Sequence, residues 1–151
     1  MDIKTIEEED RRGIAITILS APGDPRVPRI IDRLHAADSR LIGYLPDGRM
    51  GKHVIPLDEV VFIETSGKRA FIHTAEGTAL ESPMRLFELE EALDGTEFMR
   101  ASRQVLLNFD RVRGIRPELN GRLVLEMDDG NNLLASRGYA MDIKRKIGAI
   151  G

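Results

Sequence analysis

The side chains in this 151-residue chain that could do chemistry are those of Arg, Ser, Gln and Asn, not those of His, Cys or paired acids. The chain has no Cys, which removes a thiolate nucleophile, a disulfide and a Cys-ligated zinc. His35, His53 and His73 lie in different segments. None has the His-x-x-x-His or Glu-x-x-His spacing of a helical metal site. No Gly-rich phosphate loop and no Gly-x-Ser-x-Gly elbow occurs. Carboxylates are plentiful, but no spacing selects a pair for acid–base work. Glu90-Glu91 flanks an apolar helix stripe and reads as a solvated face. A metal, a cofactor and the common enzyme chemistries are therefore not expected.

Two polar segments carry more information. Residues 98–108 place Arg100, Ser102, Arg103, Gln104 and Asn108 around the apolar run Val105-Leu106-Leu107. Residues 135–139 read Ala-Ser-Arg-Gly-Tyr at the start of an apolar-striped helix. An Arg fork matches guanine O6 and N7, while Lys, Ser and backbone N–H groups suit phosphates. The same side chains serve equally as solvent-exposed loop polars, and chemistry alone leaves both readings open.

The elements that must hold these segments follow from pattern. Residues 13–19, rich in β-branched side chains, predict a strand. Pro22, Gly23 and Pro25 then interrupt. Val27, Ile30, Ile31 and Leu34 share one face of a helix over 26–37, with Pro28 in its first turn. Residues 41–45 predict a strand, closed by Pro46-Asp47-Gly48. From Val54 the rhythm becomes short strands: 54–57, 60–64 and 69–74, the last two joined at Ser66-Gly67-Lys68.

A helix follows, with Ser82 as its N-cap, Pro83 at its first position and Leu86, Leu89 and Leu93 on one face. A strand is predicted near 112–115. Residues 123–127 and 133–135 form a hairpin across Asp128-Asp129-Gly130-Asn131. A last helix from Ser136 carries Tyr139, Ile143 and Ile147 on one face, with Lys144, Arg145 and Lys146 near its C-terminus. The expected architecture is mostly β (α+β overall). A domain over 52–151 with two short helices follows a strand–helix–strand extension over 1–46.

Hydrophobic residues at 42% and charged residues at 31% suit a soluble protein with one sizeable core. No apolar run approaches the ~20 residues of a membrane span. The acidic start is unlike a signal peptide, so a reducing cytoplasm is the expected setting. The net charge of −3 opposes nucleic-acid binding by the chain as a whole. Its distribution is uneven: residues 98–151 carry ten Lys/Arg and six Asp/Glu, a net of +4, which leaves −7 on residues 1–97. A local basic face is compatible with that split.

In order along residues 52–148, the sequence resembles the LytTR family of bacterial DNA-binding domains. Residues 55–64 (IPLDEVVFIE) resemble the family's opening strands. Residues 84–93 (MRLFELEEAL) resemble its helix, and 98–108 (FMRASRQVLLN) its core motif "F-x-R-x-H-R-S-x-x-V-N". Asp129-Gly130, Ser136-Arg137 and Tyr139 resemble its closing hairpin and end. Residues 116–122 (RPELNGR) resemble short stand-alone members without a receiver domain.

The resemblance implies an elongated antiparallel β domain whose loops enter successive major grooves of double-stranded DNA, acting in transcription regulation. Carried over by position, Arg103 and Arg137 are expected to read base edges, and Lys68 or Arg69 to reach a base or a phosphate. Arg100, Ser102, Gln104 and Tyr139 are expected to support them or contact phosphates. Ser102 stands where the family often has His, Gln104 where it often has Ser, and Gly138 where a basic residue is common; these departures bear on sequence preference. The extension is too short for a receiver domain, and homodimer contacts or a partner surface are its natural roles. A small membrane protein that restrains the regulator is a further expected partner, by analogy with stand-alone members. The competing reading is a protein-interaction module on the same fold that does not bind DNA.

Overall fold

Short apolar runs bounded by turn residues fold into two antiparallel sheets in the computed structural model, which describes residues 1–37, 39–49 and 51–150. The strands are β1 (Arg40–Tyr44), β2 (Lys52–Pro56), β3 (Val60–Ser66), β4 (Arg69–Thr74), β5 (Ala79–Ser82), β6 (Phe98–Ser102), β7 (Val105–Asn108), β8 (Val112–Pro117), β9 (Leu123–Met127) and β10 (Asn132–Ala135). The helices are α1 (Arg26–Ala37), α2 (Leu86–Ala92) and α3 (Arg137–Ile150). One sheet has seven strands in the order β2-β1-β5-β4-β3-β7-β6, and the other has three in the order β10-β9-β8. The mostly β architecture with two helices in the domain is therefore as the sequence predicts.

The seven-stranded sheet has a core on each face, and the sequence of β3 shows why. Val60 and Ile63 join Leu86, Leu89 and Leu93 of the α2 segment in one cluster. Val61 and Phe62 join Leu123, Leu125 and Met127 of β9 and Ala140 and Ile143 of α3 in the other. A central strand buried on both faces needs a continuous apolar run rather than alternation. A bulge between Val60 and Phe62, opposite Thr74 and His73, turns two successive residues toward the second sheet. Leu89, fully buried under α2, contributes roughly 1.5–3 kcal/mol by leaving water.

Two features join the layers at opposite ends. Buried Asn108 donates from Nδ2 to the carbonyls of Val60 (2.9 Å) and Leu57 (3.4 Å), and its Oδ1 accepts from the Asp110 N–H. Arg111 donates to the Asp58 carbonyl and pairs with Asp128 at 3.0 Å, tying the turn before β3 to the β9–β10 turn. At the other end a second bulge, between Arg100 and Ser102, leaves the buried Ala101 outside the β6–β7 pairing. Its carbonyl accepts the Ser136 N–H at 2.9 Å, and so docks the end of β10 onto β6.

Several expectations need correction. Residues 13–19 form no strand, and among the described residues they make no backbone hydrogen bond. The segment has the composition of a strand but no neighbour to pair with. β1, expected as the end of a separate extension, is hydrogen-bonded to β2 and meets β5 at Tyr44–Glu81. α2 begins at Leu86 with Arg85 as N-cap. Ser82 ends β5 instead, its Oγ accepting the Met84 N–H at 3.0 Å, because β4 offers Ser82 a ladder partner in Ala70. α1 spans its expected range. Asp24 caps it, accepting the Arg26 N–H at 3.0 Å. The Arg26 guanidinium hydrogen-bonded to the same carboxyl holds it at about 2.

Candidate nucleic-acid interface

Chain direction alone collects the predicted site residues at one end of the sheets. β3 and β4 join at Gly67-Lys68, where Gly67 adopts the left-handed conformation (φ 63°) that a two-residue hairpin tip requires. β7 lies antiparallel to β3, with Glu64 opposite Val105. The Thr65 N–H donates to the Gln104 carbonyl at 2.9 Å. The β6–β7 turn is thereby fixed two residues below the β3–β4 tip. The Ala101–Ser136 bond brings the start of α3 to the same turn. Ser102, Arg103, Gln104, Ser136, Gly138 and Tyr139 line an open cleft of about 470 Å³ between them.

The side chains divide into those that build the turn and those left free. Arg100 is mostly covered. Its Nε donates to Glu90 at 2.9 Å and its other guanidinium nitrogen to the Arg103 carbonyl at 2.5 Å. Glu90, expected as a solvated helix acid, is thus the anchor for Arg100. The Ser102 Oγ accepts the Gln104 N–H at 3.2 Å and closes the turn. Arg103 has its carbonyl held by Arg100, yet its side chain is exposed. Tyr139 is half-buried on the cleft wall.

Arg137 starts α3 with an exposed side chain, its stem against the β8–β9 turn. A Cβ added at Gly121 would lie 3.3 Å from Arg137 Cγ. That turn passes through Asn120 (φ 63°) and Gly121 (φ 75°), two successive left-handed residues. Gly138 has nothing near its Cβ position, and the N–H groups of Tyr139 and Ala140 both donate to the Ser136 carbonyl at 3.0 Å. At the hairpin tip Lys68 and Arg69 differ: Arg69 pairs with Glu81 at 3.6 Å, while Lys68 is exposed and without an ion pair among the described residues.

Sequence reasoning gave no site role to Arg116 and Arg122. Pro117 lies opposite Leu123, and Leu123 opposite Ala135, so the β8–β9 turn emerges beside the start of α3. The Arg122 side chain donates to the Leu119 carbonyl at 3.1 Å and Arg116 is exposed. Asn120-Gly121 was a readable turn signal, but which end of the second sheet it occupied depended on strand pairing. Elsewhere, His73 stacks on Phe62 (4.2 Å between ring centroids) and bonds Glu64 at 2.8 Å. No group of three His, Asp or Glu among the described residues could hold a metal ion. No helix among them is long and apolar enough to cross a membrane.

The family profile of the LytTr DNA-binding domain matches residues 51–148. The chain is 36% identical over 76 residues to the sensory transduction protein LytT of Oceanobacillus iheyensis, across 50% of this chain and 31% of that protein. It is 26% identical over 137 residues to the transcriptional regulatory protein BtsR of Salmonella typhi, across 83% and 56%. It is 35% identical over 81 residues to the CO-responsive transcriptional regulator RcoM of Rhodospirillum rubrum, across 54% and 34%. The chain thus spans between about a third and just over half of these relatives. Its fold is similar to that of a LytTr DNA-binding domain from Bacillus cereus, with a TM-score of 0.66 at 23% identity over 74% of this chain and 98% of that one.

Proposed function

Because this chain belongs to the LytTR family of DNA-binding domains, we propose that it is a sequence-specific transcription regulator that places loop side chains in successive major grooves. The observation that carries this reading is the gathering of Lys68, Arg103 and Arg137, exposed and without ion pairs among the described residues, at one end of the sheets. A side chain already bonded to a carboxylate must break that bond before it can reach a base, whereas these three need not. Arg103 and Arg137 are the base readers, each contributing ~1–3 kcal/mol of discrimination when bidentate on guanine. Lys68 reaches a base or a phosphate from the hairpin tip.

The other residues divide the labour. Arg100 and Ser102 set the shape of the β6–β7 turn, so that Arg103 is presented from a braced backbone. The N-terminus of α3, with its dipole, suits a phosphate, and Gln104 and Tyr139 flank it. Arg116 and Arg122 add phosphate contacts from the β8–β9 turn. The regulator acts as a homodimer in the cytoplasm, with residues 1–46 outside the DNA-reading surface. A small membrane protein is its candidate restraint.

Selection of bound sequences from a random DNA pool tests the reading. A recovered motif with two half-sites at helical-turn spacing is the expected result. Recovery of no motif, with binding unaffected by loss of Arg103 and Arg137, would overturn it in favour of a protein-interaction module.

A further inference from the structure

Residues 13–19 are a strand without a sheet. Ile14, Ile16 and Ile18 recur at every second position, the spacing that puts side chains on one face of a strand. Yet Ile14 is 95% and Ile16 61% exposed, with Ile18 half-buried, and the segment makes no backbone hydrogen bond among the described residues. Short apolar β-formers left in water seek a ladder.

The seven-stranded sheet has an open edge of matching character. β2 is its outermost strand, and among the described residues nothing pairs with it on the side away from β1. The other edges are guarded. β6 is packed by β10 and α3, and β8 is bulged between Val112 and Gly114 and ends in Pro117. On β2 only Pro56 lacks a backbone donor, which leaves Lys52–Ile55 able to pair. Val54 is 62% exposed and sits directly opposite Ile42, itself 41% exposed. A strand laid beside β2 with its isoleucines on that face would extend the row Ile42–Val54 by a third apolar side chain.

Charge fits the same arrangement. Glu7-Glu8-Glu9-Asp10 precede the unpaired strand, with Arg11 and Arg12 between, and among the described residues only Glu8 of these acids is in an ion pair, with Arg11. The β1–β2 hairpin carries Arg40, Arg49 and Lys52 against the single acid Asp47, which Arg49 already pairs at 2.5 Å. Within one chain residues 13–19 leave this edge empty, so the occupant is sought in a second copy.

We infer that residues 13–19 of one copy add as an extra strand to β2 of a second copy, and that the exchange is reciprocal about a two-fold axis. The contact is a strand addition, in which main-chain bonds give affinity and alternate side chains give register. Two-fold symmetry makes each contact occur twice, so two short strands together approach the area of a stable interface. The inference specifies how the proposed homodimer forms, and it needs no DNA contact.

The cysteine-free chain makes the test direct. Two full-length single-cysteine proteins, one carrying Ile16→Cys and one carrying Val54→Cys, are mixed without DNA and treated with a short bis-maleimide. A covalent heterodimer is expected, with weaker linkage when Thr17→Cys, on the opposite strand face, replaces Ile16→Cys. No heterodimer, or one formed equally well with Thr17→Cys, overturns the inference. Sedimentation of the cysteine-free protein gives a second readout. Wild type should be dimeric, and Ile16→Pro should weaken the dimer by about tenfold or more by removing a ladder donor. Unchanged far-UV circular dichroism would show that the domain is intact. A monomeric wild type, or an Ile16→Pro dimer as tight as wild type, overturns it. A sound dimer that selects no DNA motif would count against the DNA reading and leave this inference standing.

Discussion

At the loop end of the sheets seven cations surround the β3–β4 tip, the β6–β7 turn, the β8–β9 turn and the start of α3: Lys68, Arg69, Arg100, Arg103, Arg116, Arg122 and Arg137. Among the described residues two of them are in ion pairs, Arg69 with Glu81 and Arg100 with Glu90. At the opposite end Arg33, Arg111 and Lys146 are all paired. Arg33 lies between Glu97 and Asp110 at 4.0 and 3.4 Å. Arg111 meets Asp128, and Lys146 meets Glu97 at 2.9 Å while lying over the Phe109 ring. The two ends are built from the same strands, so the difference is one of placement. One end uses its charges to hold α1, α3 and the turns together. The other leaves five of its seven cations without an ion pair among the described residues. An acidic net charge is therefore no argument against a local basic surface when acids such as Glu97, Asp110 and Asp128 pair with cations elsewhere.

The largest effects should separate the two ends in opposite assays. Arg103→Ala and Arg137→Ala should each weaken binding to the selected DNA by about tenfold or more, measured by fluorescence anisotropy, with thermal melting unchanged. At the other end Asn108→Ala should do the reverse. It leaves the carbonyls of Val60 and Leu57 without their donor, at a cost of about 1–3 kcal/mol. In a chain this long that lowers the melting temperature by about 2–4 °C per kcal/mol, while the folded fraction keeps its DNA affinity. If Arg103→Ala melts early, or Asn108→Ala binds poorly when folded, the division between a reading end and a holding end is broken.

Arg100 lies on the boundary and should give an intermediate result. It is at the reading end, but it is bonded to Glu90 and to the Arg103 carbonyl. As a positioning residue it should weaken binding a few-fold on Arg100→Ala while leaving the slope of log affinity against log salt unchanged, because it releases no phosphate contact. Arg100→Lys keeps a charge for Glu90 but lacks the fork that reaches both partners, and should recover only part of the loss. A slope reduced by about one would make Arg100 a phosphate contact instead.

Much of this arrangement was legible in the sequence, and the failures share a cause. α1, the β3–β4 hairpin, the β9–β10 hairpin and α3 are local: their periodicity and turn residues lie within one stretch of chain. What pattern missed depends on a partner distant in sequence. Residues 13–19 have the composition of a strand, but composition does not supply a neighbour. Ser82 has the form of a helix cap, but β4 claims it for the sheet. The bulge at Ala101, which docks the start of α3 on the β6–β7 turn, has no signature in an alanine. Glu90 reads as solvated until β6 brings Arg100 to it. The family motif marked the candidate residues along the chain, and strand direction brought them to one end.

The finest test concerns Lys68 and Arg69, which sequence left interchangeable. Both sit at the β3–β4 tip, one residue apart, and on charge alone they are equal. Arg69 begins β4 opposite Ser66 and spends its guanidinium on Glu81, across the strand pair. Lys68 is in the turn itself, beside Gly67, with no carboxylate partner among the described residues. Lys68→Ala should therefore lower the log–log salt slope by about one, the signature of one lost phosphate contact. Arg69→Ala should change it less, because an exposed ion pair of this kind contributes only ~0–1 kcal/mol and mainly orders the strand end. Equal changes in slope would place both side chains on DNA and make the Glu81 pair a resting arrangement that binding replaces. An effect of Arg69 alone would mean that an ion pair at this end does not mark a side chain as spoken for, and the contrast between the two ends would then rest on Arg103 and Arg137.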